Sequence, residues 1–378
     1  MASGPLESRL TIPQLYDAAS ETFGAYLATA RTSMLFAEML FNEILEHEQH
    51  EKRVQIRLSV SPGIECMVDY QDIASISVPI GAIARIVVTA RLLLRFWSSE
   101  ARISLGNSLL DDLDEDFYHV PEKLRPLFGR HSNNEDRAFW NQLLDLNKMI
   151  VLDPAAEPDI HELLHICLIH LVLHEFAHCS QRHFELLRLD LSDDDLRSVG
   201  LSRATIGSAI ELHADAVAGE MSIRVLLGQL AANADHNPKT GFLRLGYGWT
   251  LLFGLYSPKR KYLYAYAETR YAHPVVRRAI VAYHALNEAS RVSSEMGQLF
   301  IEHEQVGYQR CAFAFTELNL EAFGGKYGAV ADGRVLLHLP SVGPATASHF
   351  LRQVSDASHL AGALGNLILS LKKEGRIP

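Results

Sequence analysis

Apolar positions recur with helical spacing along most of this chain, and they alternate as a strand only in one short stretch. From Pro13 to about His50, Leu35, Met39, Leu40, Ile44 and Leu45 fall on one repeating face, which predicts one long helix or two shorter ones. Val54 to Val60 alternates apolar and polar residues, Ser61-Pro62-Gly63 reads as a turn, and Ile64 to Tyr70 is a second apolar-rich run. That order predicts a hairpin. Ala74 to Val78 adds a third strand stopped by Pro79, and Gly81 to Trp97 reads as a buried helix.

After an acidic, then Pro-containing and polar connection at Asp111 to Asn134, the pattern is helical again. Arg137 to Leu152 fits a helix, or a helix then a strand. Asp159 to Leu189 reads as one long helix with Asp159 as N-cap, and a short helix starts at Ser192-Asp193-Asp194-Asp195 and stops at Gly200. Further helices are expected from Ser202 or Thr205 to Ala232, and over Tyr247–Leu255, Pro274–Ala289, Ser293–Leu318 and Ala347–Leu371, with a short strand at Arg334–Leu339. The expected class is α+β, predominantly helical, with a small N-terminal antiparallel sheet and a helical C-terminal part. Three regions are expected: an N-terminal helical region with the sheet over 1–135, a core over 136–300, and a C-terminal helical region over 301–378.

The 378 residues carry a net charge of −10 without any Lys/Arg-rich block, which argues against a nucleic-acid binder. The four cysteines are scattered with no CxxC pair, which fits a reducing compartment. Cys167 and Cys179 lie in apolar helical sequence and read as small core residues. No secretory pattern opens the chain. The apolar stretches at Ile80–Trp97 and Leu163–Leu173 are broken by Arg85, Arg91 and Arg95 and by His165 and His170, so neither reads as a membrane span. The expectation is a cytoplasmic protein with no membrane span.

The candidate chemistry lies in His174-Glu175-Phe176-Ala177-His178. Histidines at i and i+4 share a helix face, so both imidazoles reach one cation. The adjacent glutamate is rotated away from ligation but reaches a water that zinc acidifies, and can act as its base. The pattern occurs twice, however: His161-Glu162-Leu163-Leu164-His165 also satisfies it. In one continuous helix the 13-residue offset is a rotation of about 220°, so the two copies face nearly opposite sides. The His174 copy follows a core-like apolar run, and Ala177 between its histidines allows close helix packing. The His161 copy sits in the first turns, where exposure is expected. These arguments favour His174 and His178.

Zinc normally takes a third protein ligand. Glu211-Leu212-His213-Ala214-Asp215 offers two acids at i and i+4 on a helix rich in small residues, suited to close approach. Glu211 is assigned as ligand, and Asp215 as the acceptor that fixes a ligand imidazole's tautomer. The alternative for both acids is a solvated helix face, and Glu220 is a weaker substitute ligand. His213 faces away from both acids and reads as a surface or packing histidine. His170, one turn before His174, reads as a supporting or cleft-lining residue.

HEFAH followed by E-x-x-A-D and then His273-Pro274-Val275-Val276-Arg277-Arg278 resembles the gluzincin metallopeptidases, especially the HtpX and CAAX-prenyl-protease type, over about residues 168–289. The resemblance implies a zincin-like catalytic core, zinc on His174, His178 and Glu211, Glu175 as general base, and Asp215 in support. Those relatives are membrane proteins, unlike the expectation here. The layout of a small sheet ahead of an HExxH helix is also similar to the phage-exclusion peptidase Lit group, which would imply a bacterial cytosolic protease with one intracellular target. His273 is the first candidate for stabilising the oxyanion and Tyr271 the second; a structural turn ahead of Pro274 is the alternative for both. The expected substrate is a protein or peptide, laid along a sheet edge between Val54 and Val78. Competing expectations are a non-catalytic zinc-binding regulatory protein and a zinc amidohydrolase of small substrates.

Overall fold

The computed structural model describes residues 20–104, 136–256, 274–317 and 344–378, together with residue 17 and apart from short gaps at 49, 51–52, 62, 64–65, 71–72, 151 and 233–236. Helix α1 (Gly24–His47) leads into strands β1 (Arg53–Ser59), β2 (Met67–Tyr70) and β3 (Ile73–Pro79), then α2 (Ile80–Ser104) and α3 (Asp136–Met149). A 3-10 turn at Pro154–Ala156 opens α4 (Glu157–Ser180), followed by the short α5 (His183–Arg188) and α6 (Asp193–Ser198). The remaining helices are α7 (Ile206–Ala232), α8 (Pro238–Leu255), α9 (Pro274–Val292), α10 (Ser294–Glu317) and α11 (Pro344–Lys373). The protein is predominantly helical with one small sheet. The expected strand at Arg334–Leu339 and the acidic connection at Asp111–Asn134 lie outside the described residues.

The strands do not pair in chain order. The sheet runs β1-β3-β2, with β1 parallel to β3 and only β2 antiparallel to it. The expected antiparallel sheet is therefore a mixed one, and the expected β1–β2 hairpin is a β2–β3 hairpin. Alternation specifies which residues face the core but not which neighbour a strand takes. Edge β1 is closed by α1 rather than by a strand. Asn42 accepts from the Val54 amide and donates to the Val54 carbonyl, both at 2.9 Å, and Glu38 accepts from the Ile56 amide at 2.7 Å. The outer edge of β2 has no strand beside it among the described residues.

Helix α1 buries Ala30, Ser33, Met34, Ala37, Phe41 and Leu45, whereas Leu35 and Met39 are 62% and 66% exposed. The buried face is offset from the expected one: Phe41 stacks on Phe176 and Tyr26 lies against His161 of α4, with Ala30, Ser33 and Ala37 buried on the same side. Helix α4 is apolar on nearly every side and packs against α1, α2, α7 and α8. Its Pro154–Ser180 span is long and apolar enough to cross a membrane, and 78% of its most apolar window is buried inside the protein. Asp153 caps the turn ahead of it, and Asp159 is not the N-cap. The long helix expected up to Leu189 breaks at Arg182, whose left-handed φ of 59° reverses the chain into α5. Behind α4, α8 and α10 cross at two glycines: a Cβ on Gly246 would strike the Glu304 carbonyl, and one on Gly307 the Leu243 carbonyl.

Candidate metal centre

Helices α4 and α7 pack together so that His174, His178 and Glu211 offer one ligand atom each, all within 4.8 Å of one another. His174 Nε2 lies 3.3 Å from His178 Nε2 and 3.5 Å from Glu211 Oε2. Tetrahedral zinc with bonds of roughly 2.0–2.1 Å places its ligands about 3.4 Å apart. These two spacings and the two-nitrogen, one-oxygen donor set fit that ion. Small residues on α7 were expected to bring it close to α4, but one of them, Gly219, serves another contact: a Cβ there would collide with the Val281 carbonyl of α9.

The approach of α9 brings in Arg277. Its Nε and Nη2 meet Asp215 Oδ2 and Oδ1 at 2.7 and 2.8 Å, and Asp215 Oδ1 lies 2.9 Å from His174 Nδ1. The guanidinium also lies against the rings of Phe253 and Tyr256. Asp215 is fully buried, and so bidentate charge pairing has to offset its desolvation. Burial alone would raise the Asp215 carboxyl, but the charge and hydrogen bonds of Arg277 hold it well below the usual range. Burial likewise opposes ionisation of Glu211, yet His174 draws it down to about 2. Without metal, burial would lower His174, but its contacts with Asp215 and then Glu211 push it up to about 10. His178, buried and beside that charge, is lowered to about 3.

A cavity of about 220 Å³ opens onto these groups, lined also by Glu175, Arg277, Tyr256, His183, Cys66 and Val68. Cys66 and Val68 bring the β2 end of the sheet to the cavity wall. Burial, then the charge of Glu175, pushes the Cys66 thiol up.

Some expected residues fall elsewhere. His170 is buried edge-on to Trp249 and Phe253, with Nδ1 3.5 Å from Ser222 Oγ, and does not line the cavity. It is a core histidine rather than a cleft residue. Tyr271 and His273 lie outside the described residues, as does the Tyr262–Tyr266 alternation. The His161 copy faces α1: Thr29 Oγ1 lies 2.7 Å from His161 Nδ1, and Ser33 Oγ 2.8 Å from His165 Nδ1. Glu162 pairs with Arg244 at 3.3 Å. That copy is a packing seam, and it is half-buried rather than exposed. His213 is no surface histidine either: its Nδ1 lies 2.9 Å from His183 Nε2, and His183 Nδ1 lies 3.0 Å from His178 Nδ1.

Arg277, His183, Cys66 and Tyr256 were not singled out by the sequence as site residues. Arg277 alone carried a signal, its place in the His-Pro…Arg segment. Comparison with protein-family models, curated proteins and solved structures finds no match to this chain.

Proposed function

We propose that this chain is a zinc-dependent metallopeptidase of gluzincin type, acting in the cytoplasm on a protein or peptide. The observation that supports it most is the convergence of His174 Nε2, His178 Nε2 and Glu211 Oε2 at zinc-like spacing in a cavity that Glu175 also lines. Zinc held by His174, His178 and Glu211 would supply an acidified water and a Lewis acid for the substrate carbonyl. Glu175 accepts the proton of the attacking water and returns it to the departing amine. Asp215, held by Arg277, orients the His174 ring. Arg277 Nη1 takes no part in the two Asp215 contacts, and Arg277 and Tyr256 line the cavity with donors suited to the developing oxyanion.

The sheet favours a polypeptide substrate. With β1 closed by Asn42 and Glu38, β2 is the sheet edge beside the cavity with no strand next to it among the described residues, and an extended substrate backbone can pair with it near Val68. The Tyr70 carbonyl at its far end already accepts from Arg188 Nη2 at 3.3 Å, which limits the run of pairing. The modest cavity volume of about 220 Å³ favours the second reading, a zinc amidohydrolase of small substrates. A peptide library separates the two: hydrolysis of extended peptides supports the peptidase, and turnover of single acylated amines alone supports the amidohydrolase. Glu175→Gln is expected to abolish hydrolysis while zinc stays bound, and full activity in that variant would remove Glu175 as the base.

A further inference from the structure

We propose that His183 and His213 are positioning residues that hold His178 in the tautomer with its proton on Nδ1, leaving Nε2 open as a ligand atom. This rests on the metal-centre reading above. The three rings form a chain, with His178 Nδ1 3.0 Å from His183 Nδ1 and His183 Nε2 2.9 Å from His213 Nδ1. A neutral imidazole has one N–H and one lone pair. Two arrangements therefore satisfy both contacts.

In the outward arrangement, His178 Nδ1–H donates to His183, and His183 Nε2–H donates to His213 Nδ1. His213 then carries its own proton on Nε2. In the inward arrangement every proton moves to the other side of its contact, and His178 carries N–H on Nε2. That N–H would point at His174 Nε2, 3.3 Å away, and would occupy the atom that the metal needs. The tautomer of His213, on a different helix from the ligand, thus sets the ligand's own tautomer. Of the two, only the outward arrangement leaves His178 Nε2 open toward His174 and Glu211. His183 is fully buried, and His213 is its only partner besides His178 among the hydrogen bonds of the described residues. His213 Nε2 lies beside Gly365 of α11, where a Cβ would crowd it at 3.3 Å, so the glycine keeps the space that an N–H there occupies.

The contrast is between leucine, which removes the acceptor, and asparagine, whose Oδ1 accepts where Nδ1 did. Long-range 1H–15N spectra of the metal-free protein read the His178 tautomer, and chelator competition reads zinc affinity. Wild type is expected to show Nδ1–H on His178. His183→Leu should redistribute that proton and weaken zinc binding about 10- to 100-fold. His213→Leu, two bonds removed, should weaken it roughly 10-fold. His183→Asn and His213→Asn should keep both the tautomer and the affinity within about threefold, a rescue that loss of packing alone does not predict. Folded leucine variants with unchanged tautomer and affinity would overturn the proposal, as would Nε2–H on His178 in wild type. A wild type that binds no zinc defeats the metal-centre reading instead, and the tautomer of the metal-free protein still decides this one.

Discussion

Replacing Asp215 by Asn separates what the carboxylate does for the fold from what it does for the metal. Asp215 is 1% exposed at its side chain and Arg277 12%, with two contacts of 2.7 and 2.8 Å between them. Asparagine keeps the volume and one acceptor but leaves a guanidinium buried without its counter-charge. Breaking a buried pair from one side costs about 3–5 kcal/mol; the retained acceptor puts this variant near the lower end, about 3 kcal/mol. The same change removes the anion 2.9 Å from His174 Nδ1. His174 should then lose its raised pKa and titrate below its ordinary value, because burial is the largest effect remaining. Zinc affinity should fall about 10- to 100-fold. Urea denaturation of the metal-free protein gives the first quantity and chelator competition the second. The double variant Asp215→Leu with Arg277→Met should recover most of the stability, since apolar residues replace a buried pair at little cost. It should not recover zinc affinity. A single variant within about 0.5 kcal/mol of wild type and binding zinc within about twofold would refute this account of Asp215.

Zinc binding should release roughly one proton per chain at neutral pH, because His174 holds its proton up to about 10 without metal; calorimetry in buffers of different ionisation enthalpy counts it, and no release contradicts the electrostatics. The same raised pKa stabilises the metal-free fold fully below the ordinary histidine range, and that contribution is lost as pH rises from about 6.5 toward 10. Glu211, lowered to about 2, stabilises above its ordinary value near 4.5 and loses that contribution as pH falls toward 2, so metal-free denaturation midpoints should decline on both sides. His161→Ala and His165→Ala should each cost about 1–2 kcal/mol through the lost contacts with Thr29 and Ser33, with zinc content unchanged. Gly246→Ala should cost about 1–3 kcal/mol by forcing α8 from α10, read by thermal denaturation, without changing metal content.

The helices were legible because apolar spacing reports them directly, and the start of α6 carried its cap at Ser192, whereas α8 begins at Pro238, well ahead of the expected Tyr247. The sheet order was not, since Val54–Val60 and Ala74–Val78 look alike in pattern while their partner is chosen by tertiary packing, here with Asn42 and Glu38 taking one edge. The buried face of α1 was misplaced because Ala30, Ser33 and Ala37, interleaved with Met34 and Phe41 on the buried side, count for little in hydrophobicity, while Leu35 and Met39 drew the expected face to the exposed side. In the site, the helical phase of His161 against His174 could be computed from spacing alone, and the two copies do face different helices. His183 and His213 could not be found that way. Their contacts depend on the left-handed turn at Arg182, which returns His183 to His178, and on a partner thirty residues further along. Arg277 reaches Asp215 across 62 residues, a separation that carries no periodic signal.

The most direct test of the central claim is zinc content per chain in the wild type beside His178→Ala. About one zinc per chain in wild type and essentially none in the variant is the predicted result. Zinc absent from both, or equally present in both, would contradict a metal centre on His174, His178 and Glu211.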